Sequence, residues 1–141
     1  MKGRHLKITT NKITCMLEHL VQMIEPNKAK YSGIIGIAYG GLNVSIPLAM
    51  RLRLPHHSVH ISCYNGPVKR TVPLIENKKL PANCLVVDDL IDDGTTMALF
   101  QEKYGPMDSA VLFLKPGGVA TYFVDYKPES WIFFPWEDTC A

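Results

Sequence analysis

Four carboxylates stand in one short stretch of the chain. Residues 84–97 read CLVVDDLIDDGTTM, with Asp88 and Asp89 adjacent, two apolar residues, then Asp92 and Asp93, followed at once by Gly94, Thr95 and Thr96. The acids come straight after Leu85-Val86-Val87, a short run rich in β-branched residues that predicts a buried strand. After Thr96, apolar residues at Met97, Leu99 and Phe100 predict a helix, stopped near Tyr104-Gly105-Pro106. A strand, an acidic turn with glycine and hydroxyls, then a helix places a polar site at the carboxyl end of an α/β sheet. The backbone N–H groups from Gly94 to Met97 would open that helix and form a seat for phosphate. Four acids beside such a seat suit a ligand carrying phosphate, hydroxyls and a hard cation, because magnesium takes few protein ligands and many oxygens from its ligand.

The rest of the chain must position this turn. Ile13, Met16, Leu17, Leu20, Val21 and Ile24 recur at helical spacing and Pro26 ends the pattern, so an amphipathic helix is expected, with His19 beside its stripe and without chemistry. Residues 33–38, GIIGIA, predict a strand leading into Tyr39-Gly40-Gly41. Adjacent glycines let a backbone approach a ligand closely, or serve chain reversal alone. A helical pattern over 44–52 follows, with Pro47 in its first turn, completing the first half of a βαβ unit. Residues 57–64, HSVHISCY, alternate as a strand with Val59, Ile61 and Cys63 on one face. His57 and His60 then face opposite sides, which argues against a joint metal site. The polar, basic stretch 65–80 has little periodicity and is expected to be either a flexible lid or merely mobile. Residues 110–114 predict another strand, ending at Lys115-Pro116-Gly117-Gly118, and 121–126 an edge strand. The segment WIFFPWE, 131–137, holds both tryptophans, which either cap the core or offer a flat face to a planar base.

Bulk properties narrow the classes. A chain of 141 residues, 47% hydrophobic and 20% charged, is expected to form one domain, 1–141. A net charge of +2 carries no electrostatic case for nucleic acid, and no apolar run is long enough to span a bilayer. The basic start at Lys2 and Arg4 precedes no apolar signal core. Cys15, Cys63, Cys84 and Cys140 are scattered without a CxxC pair, so reduced thiols and a cytoplasmic location are expected.

The central stretch resembles the phosphoribosyl-pyrophosphate (PRPP) signature of the type I phosphoribosyltransferases: apolar strand, two acids, two apolar residues, then Asp-Thr-Gly-x-Thr. Here it reads LVV-DD-LI-DDGTT. The resemblance extends from GIIGIAYGGL to PWE and is strongest with the bacterial xanthine-guanine branch, which has Asp-Asp-Leu-Val-Asp-Thr-Gly-Gly-Thr, a Lys-Pro-Ala-Gly turn, and a Thr-Trp-Ile…Pro-Trp-Asp ending. The matching pieces are DDLIDDGTT, KPGG and SWIFFPWE. Three separated motifs at matching spacing are far more specific than one.

The resemblance implies an α/β fold, a mainly parallel sheet flanked by helices, with a small hood from about 1–12 and 116–141 holding the base. It implies purine salvage: transfer of the 5-phosphoribosyl group of PRPP to guanine, xanthine or hypoxanthine, with magnesium and release of pyrophosphate. Asp88 and Asp89 would take the ribose hydroxyls, their charge favouring positive charge at the anomeric carbon. Asp92 would exchange the N7 proton of the purine. Asp93, Gly94, Thr95 and Thr96 would hold the 5′-phosphate, and Tyr39, Gly40 and Gly41 the pyrophosphate. Lys115 would donate to the 6-oxo group, Trp131 would stack on the base, and the Ile132 backbone would face its 2-position. Cys63-Tyr64 stands where the purine branch starts a closing loop with Ser-Tyr. Asp89, through PRPP, and Glu137, through water, would face magnesium. A dimer or tetramer is implied.

Three departures bear on turnover. Tyr39 replaces the arginine of an Arg-Gly-Gly loop and brings neither charge nor fork to a pyrophosphate, unless Arg70 substitutes from the lid. Asp93 replaces a threonine. At about 5 Å from a phosphate charge and an effective dielectric near 20, it would repel by roughly 3 kcal/mol per charge pair, so it must point away, be neutralised or weaken binding. The relative continues beyond its Pro-Trp-acid ending, implying a missing piece at an oligomer surface or over the base pocket. These departures leave two alternatives: a PRPP- or nucleotide-binding protein without turnover, and a phosphoribosyltransferase for another base.

Overall fold

The computed structural model describes residues 5–65 and 68–137. In chain order the elements are β1 His5–Lys7, α1 Thr10–Ile24, a 3-10 turn Glu25–Lys30, β2 Ile34–Ala38, α2 Leu42–Leu52, β3 His56–Asn65 and β4 Val68–Ile75. Then come β5 Leu85–Val87, β6 Leu90–Ile91, α3 Thr95–Tyr104, β7 Ser109–Leu114, β8 Tyr122–Tyr126 and β9 Trp131–Phe133.

The centre is a parallel sheet. β2 lies between β3 and β5, and β7 pairs with β5 on one side and β8 on the other, all in parallel. β6 continues the line of β5 along β7: Val86 faces Ser109 and Leu90 faces Phe113, an equal step on each strand. β5 and β7 are buried throughout, as expected for strands covered on both faces. Successive side chains feed two cores. Ile34, Leu85 and Val87 pack with α1 and α2, whereas Ile35, Val86 and Val111 pack with Met97 and Phe100 of α3. Burial of the α1 stripe, Ile13, Met16, Leu17, Leu20 and Ile24, matches its sequence pattern, and the Thr9 hydroxyl caps the helix by accepting from Lys12 N at 3.1 Å.

Two elements differ from the sequence expectation. The stretch 65–80 is not irregular throughout, because 68–75 pairs antiparallel with β3 as β4 at the sheet edge. Its mostly exposed side chains erase the alternation, and Pro73 is tolerated because an edge strand leaves one row of backbone groups unpaired. Gly66 and Pro67 lie outside the described residues. The second difference is that α2 begins at Leu42, which puts Pro47 beyond its first turn. The helix survives because Val44, Ser45, Leu48, Ala49 and Leu52 bury one face.

The two ends of the described chain meet. β1 and β9 form a separate parallel pair, His5 opposite Trp131 through Lys7 opposite Phe133. Residues 1–4 and 138–141, including Cys140, lie outside the described residues; Cys15, Cys63 and Cys84 are free thiols.

At the amino ends of the strands a polar clamp joins β2, β7 and β8. The Tyr31 hydroxyl donates to Asp108 Oδ2 at 2.6 Å and lies 2.9 Å from the Tyr122 hydroxyl. Burial, then these hydrogen bonds, raise Tyr31 far above its usual 10.0. A raised phenol contributes stability that is complete below the unfolded value and is lost as pH rises beyond it. Tyr31→Phe is therefore expected to cost about 1–2 kcal/mol near neutral pH in denaturant unfolding, and to flatten the loss of stability above pH ~10.

Candidate active site

The carboxyl ends of β2 and β5 lie side by side, so the turn after β2 must pass against the acids after β5. That is why the turn carries glycines. A Cβ on Gly40 would lie 2.5 Å from Asp89 Oδ2, and one on Gly41 would lie 2.5 Å from Ile37 O and 3.0 Å from Asp88 Oδ1. The acids are held by backbone: Asp88 N donates to Ala110 O at 3.1 Å, and Asp89 O accepts from Leu112 N at 3.0 Å. Asp88 Oδ1 accepts from Asp89 N at 2.9 Å, and Asp89 Oδ1 from Leu90 N at 2.8 Å. Burial, then the neighbouring Asp89, pushes the Asp88 carboxyl well above the ordinary carboxylate range, and burial also raises Asp89.

These acids open on a cleft of about 790 Å³. Its walls include Gly40, Tyr64, Asp88, Asp89, Asp92, Asp93, Gly94, Thr96, Trp131, Trp136 and Glu137. Gly94 enters α3 in the left-handed region at φ 80°, and Gly94 and Thr96 at the start of the helix line the cleft. Glu137 Oε1 accepts from Phe134 N at 3.3 Å, and burial with the Asp89 charge raises its carboxyl. Trp131 is 62% exposed and lines the cleft, whereas the next residue, Ile132, is buried in the core.

Other expected site residues are placed differently. The Tyr39 side chain leaves the cleft and packs against His60, ring centroids 4.6 Å apart, following a cis Ala38–Tyr39 peptide. The Lys115 side chain is exposed and absent from the cleft wall; its backbone N–H holds Ile91 O at 2.9 Å. The lysine near Asp92 is instead Lys127, Nζ 4.0 Å from Asp92 Oδ1. Cys63 is buried, Sγ 3.4 Å from Thr96 Oγ1. Arg70 turns away from the cleft, Nε donating to Ser62 Oγ at 3.2 Å, and the neighbouring Lys69 reaches Asp93 Oδ2 at 3.7 Å. Asp93 is thus neutralised: Oδ1 accepts from Thr95 N at 3.0 Å, and this bond is the main cause holding its carboxyl below the usual range.

Trp136, Lys127 and Lys69 were missed in the sequence. Trp136 stacks on Phe134 at 4.6 Å and 7°, and the only signal for it was its place in WIFFPWE. Neither lysine had a signal, because each meets its acid only through strand pairing. Among the described residues no cluster of three or more His, Cys, Asp or Glu is arranged to hold a metal ion.

Residues 12–139 match the model of the phosphoribosyl transferase domain. The chain belongs to that family. It is 27% identical over 121 residues to a xanthine-guanine phosphoribosyltransferase of Cereibacter sphaeroides, covering 79% of this chain and 72% of that enzyme. A purine phosphoribosyltransferase crystal structure from Pyrococcus horikoshii superposes with a TM-score of 0.78 at 27% identity, covering 95% of this chain and 94% of that one. The Helicobacter pylori xanthine-guanine-hypoxanthine phosphoribosyltransferase gives 0.76 at 24% identity, with coverages of 95% and 94%. The chain is accordingly a phosphoribosyltransferase with the type I fold.

A carboxyl raised in the folded state opposes folding when ionised, and the penalty fades as pH falls towards the folded value. Asp88→Asn should therefore raise the Tm of the ligand-free protein by about 2–5 °C at neutral pH, with the gain shrinking as the buffer is acidified. Thermal unfolding across pH checks both.

Proposed function

We propose that the chain transfers the 5-phosphoribosyl group of PRPP to an oxopurine, guanine, xanthine or hypoxanthine, giving the nucleoside 5′-monophosphate and pyrophosphate. The observation that carries this reading is the meeting of the acid pair Asp88/Asp89, the amino end of α3 and the Trp131 ring on one cleft. The named relatives act on the same bases.

The 5′-phosphate is held by the backbone N–H groups of residues 94–96 and the Thr95 and Thr96 hydroxyls, where the amides at a helix start favour an oxyanion. Asp88 and Asp89 accept the ribose hydroxyls, further donors beside the backbone N–H groups of Asp89 and Leu90. Their negative charge favours the cationic character that develops at the anomeric carbon as the bond to pyrophosphate lengthens. The purine N9 lone pair forms the new C–N bond, pyrophosphate leaves with the electrons of the C–O bond, and Asp92 accepts the N7 proton. Trp131 stacks on the ring. Lys115, whose exposed side chain lies off the cleft wall of the free protein, swings in to donate to the 6-oxo group, and the Ile132 backbone faces the 2-position.

Magnesium fits this donor set, because Asp89 and Glu137 suit a cation that takes most of its oxygens from PRPP and water. When bound it would screen the charge of the leaving pyrophosphate. Gly40 and Gly41 line the pyrophosphate position. The paired strands β1 and β9 with 116–137 serve as the hood, and the β3–β4 ribbon with Tyr64 serves as the lid that excludes water. No helix among the described residues is long and apolar enough to cross a membrane. A cytoplasmic homo-oligomer completes the reading.

Incubation with PRPP, magnesium and each of guanine, xanthine, hypoxanthine and adenine is expected to yield nucleotide with the oxopurines and to stop when magnesium is chelated. Absence of product from folded protein with all three oxopurines would overturn the assignment. Asp92→Asn should lower kcat about 100-fold with KM for PRPP little changed. Trp131→Ala should raise KM for the base about tenfold, and Lys115→Ala should narrow the gap between hypoxanthine and adenine. Steady-state kinetics reads all three.

A further inference from the structure

The seat at the start of α3 already holds an oxyanion from the chain itself. Asp93 Oδ1 accepts from Thr95 N at 3.0 Å, one of the N–H groups assigned above to the 5′-phosphate. Its other oxygen lies 3.5 Å from the Tyr64 hydroxyl and 3.7 Å from Lys69 Nζ. Tyr64 and Lys69 stand directly opposite one another in the antiparallel register of β3 and β4, so both side chains leave the same face of the ribbon. Arg70, the next residue, instead donates from Nε to Ser62 Oγ at 3.2 Å, across the register shift between Ser62 and Tyr64. One carboxylate therefore joins the ribbon to the phosphate turn, and it uses donors that an arriving phosphate needs.

We propose that Asp93 is a built-in occupant of the phosphate seat: it latches the β3–β4 ribbon to the amino end of α3 while the seat is free, and the Thr95 N–H and Lys69 pass from it to the 5′-phosphate of the substrate. This rests on the phosphoribosyl-transfer reading above. Asp93 sets the affinity for the phosphate end of PRPP, and Lys69 is a binding residue on the lid. A carboxylate and a phosphate compete for the same N–H and the same ammonium, and two adjacent anions repel when only one cation is near. Entry of the phosphate thus displaces the latch and frees the ribbon to move, while a ligand lacking phosphate leaves it in place. Arg70, held to Ser62, takes no part.

The test is a cycle of Asp93→Asn, Lys69→Met and the double variant, read as KM for PRPP and KM for the base, with calorimetric titration of PRPP and GMP as a second readout. Asp93→Asn is expected to lower KM for PRPP about fivefold, the size of one exposed ion-pair contribution, and to tighten GMP equally. Lys69→Met is expected to raise KM for PRPP by at least as much, and the double variant to stay well above Asp93→Asn, because Lys69 also serves the phosphate. KM for the base should move less than twofold. A higher or unchanged KM for PRPP in Asp93→Asn overturns the proposal, as does a double variant equal to Asp93→Asn, which would leave Lys69 only balancing Asp93. If the wild type turns over no base, the transfer reading fails and the titrations still decide the latch: tighter PRPP and GMP binding by Asp93→Asn supports it, and equal, weaker or no binding by both proteins overturns it. Asp93→Thr repeats the measurement without an amide side chain.

Discussion

The close approach of two chain turns at the carboxyl ends of β2 and β5 governs the rest of the molecule. Parallel pairing from Ile34 opposite Leu85 to Gly36 opposite Val87 forces the glycine turn onto the acid pair. Two side-chain-free residues are needed there, since a Cβ on either would strike Asp89 or the backbone of Ile37. Asp88 and Asp89 are left partly buried and beside each other, and burial raises both carboxyls, that of Asp88 further through its neighbour, a cost to the free protein's stability.

Charge is distributed along the cleft with the same logic. Asp88, Asp89 and Glu137 share the cleft, and Glu137 feels the Asp89 charge. Positive character lies beside Asp93, in the Thr95 N–H and in Lys69. Lys127 lies beside Asp92. A ligand with an anionic tail and a centre that becomes cationic matches that distribution. The flat face of Trp131 lies on the hood, which closes through the pairing of β1 with β9.

The parts readable from the chain were those whose signals are local. LVV followed by two acids could only be a buried strand ending in a polar turn, and burial of β5 agrees. The α1 stripe and the Gly94 entry to α3 were equally plain. β4 was not readable, because an edge strand gains its order from pairing with β3 and its exposed side chains follow no period. Arg70 was the cation expected at the lid, yet Arg70 bonds Ser62 and it is the neighbouring Lys69 that reaches Asp93.

Sequence alone determined the type of fold, the acid pair, the glycine entry to α3 and the aromatic segment, because each depends on residues within a few positions of one another. Tertiary structure decided which side chains share the cleft. It turned Tyr39 out towards His60, left the Lys115 side chain off the wall, brought Trp136 in, and set Lys127 beside Asp92 and Lys69 beside Asp93. Such choices follow from strand register and from which face of a strand or turn meets a neighbour remote in the chain, and no local pattern encodes that.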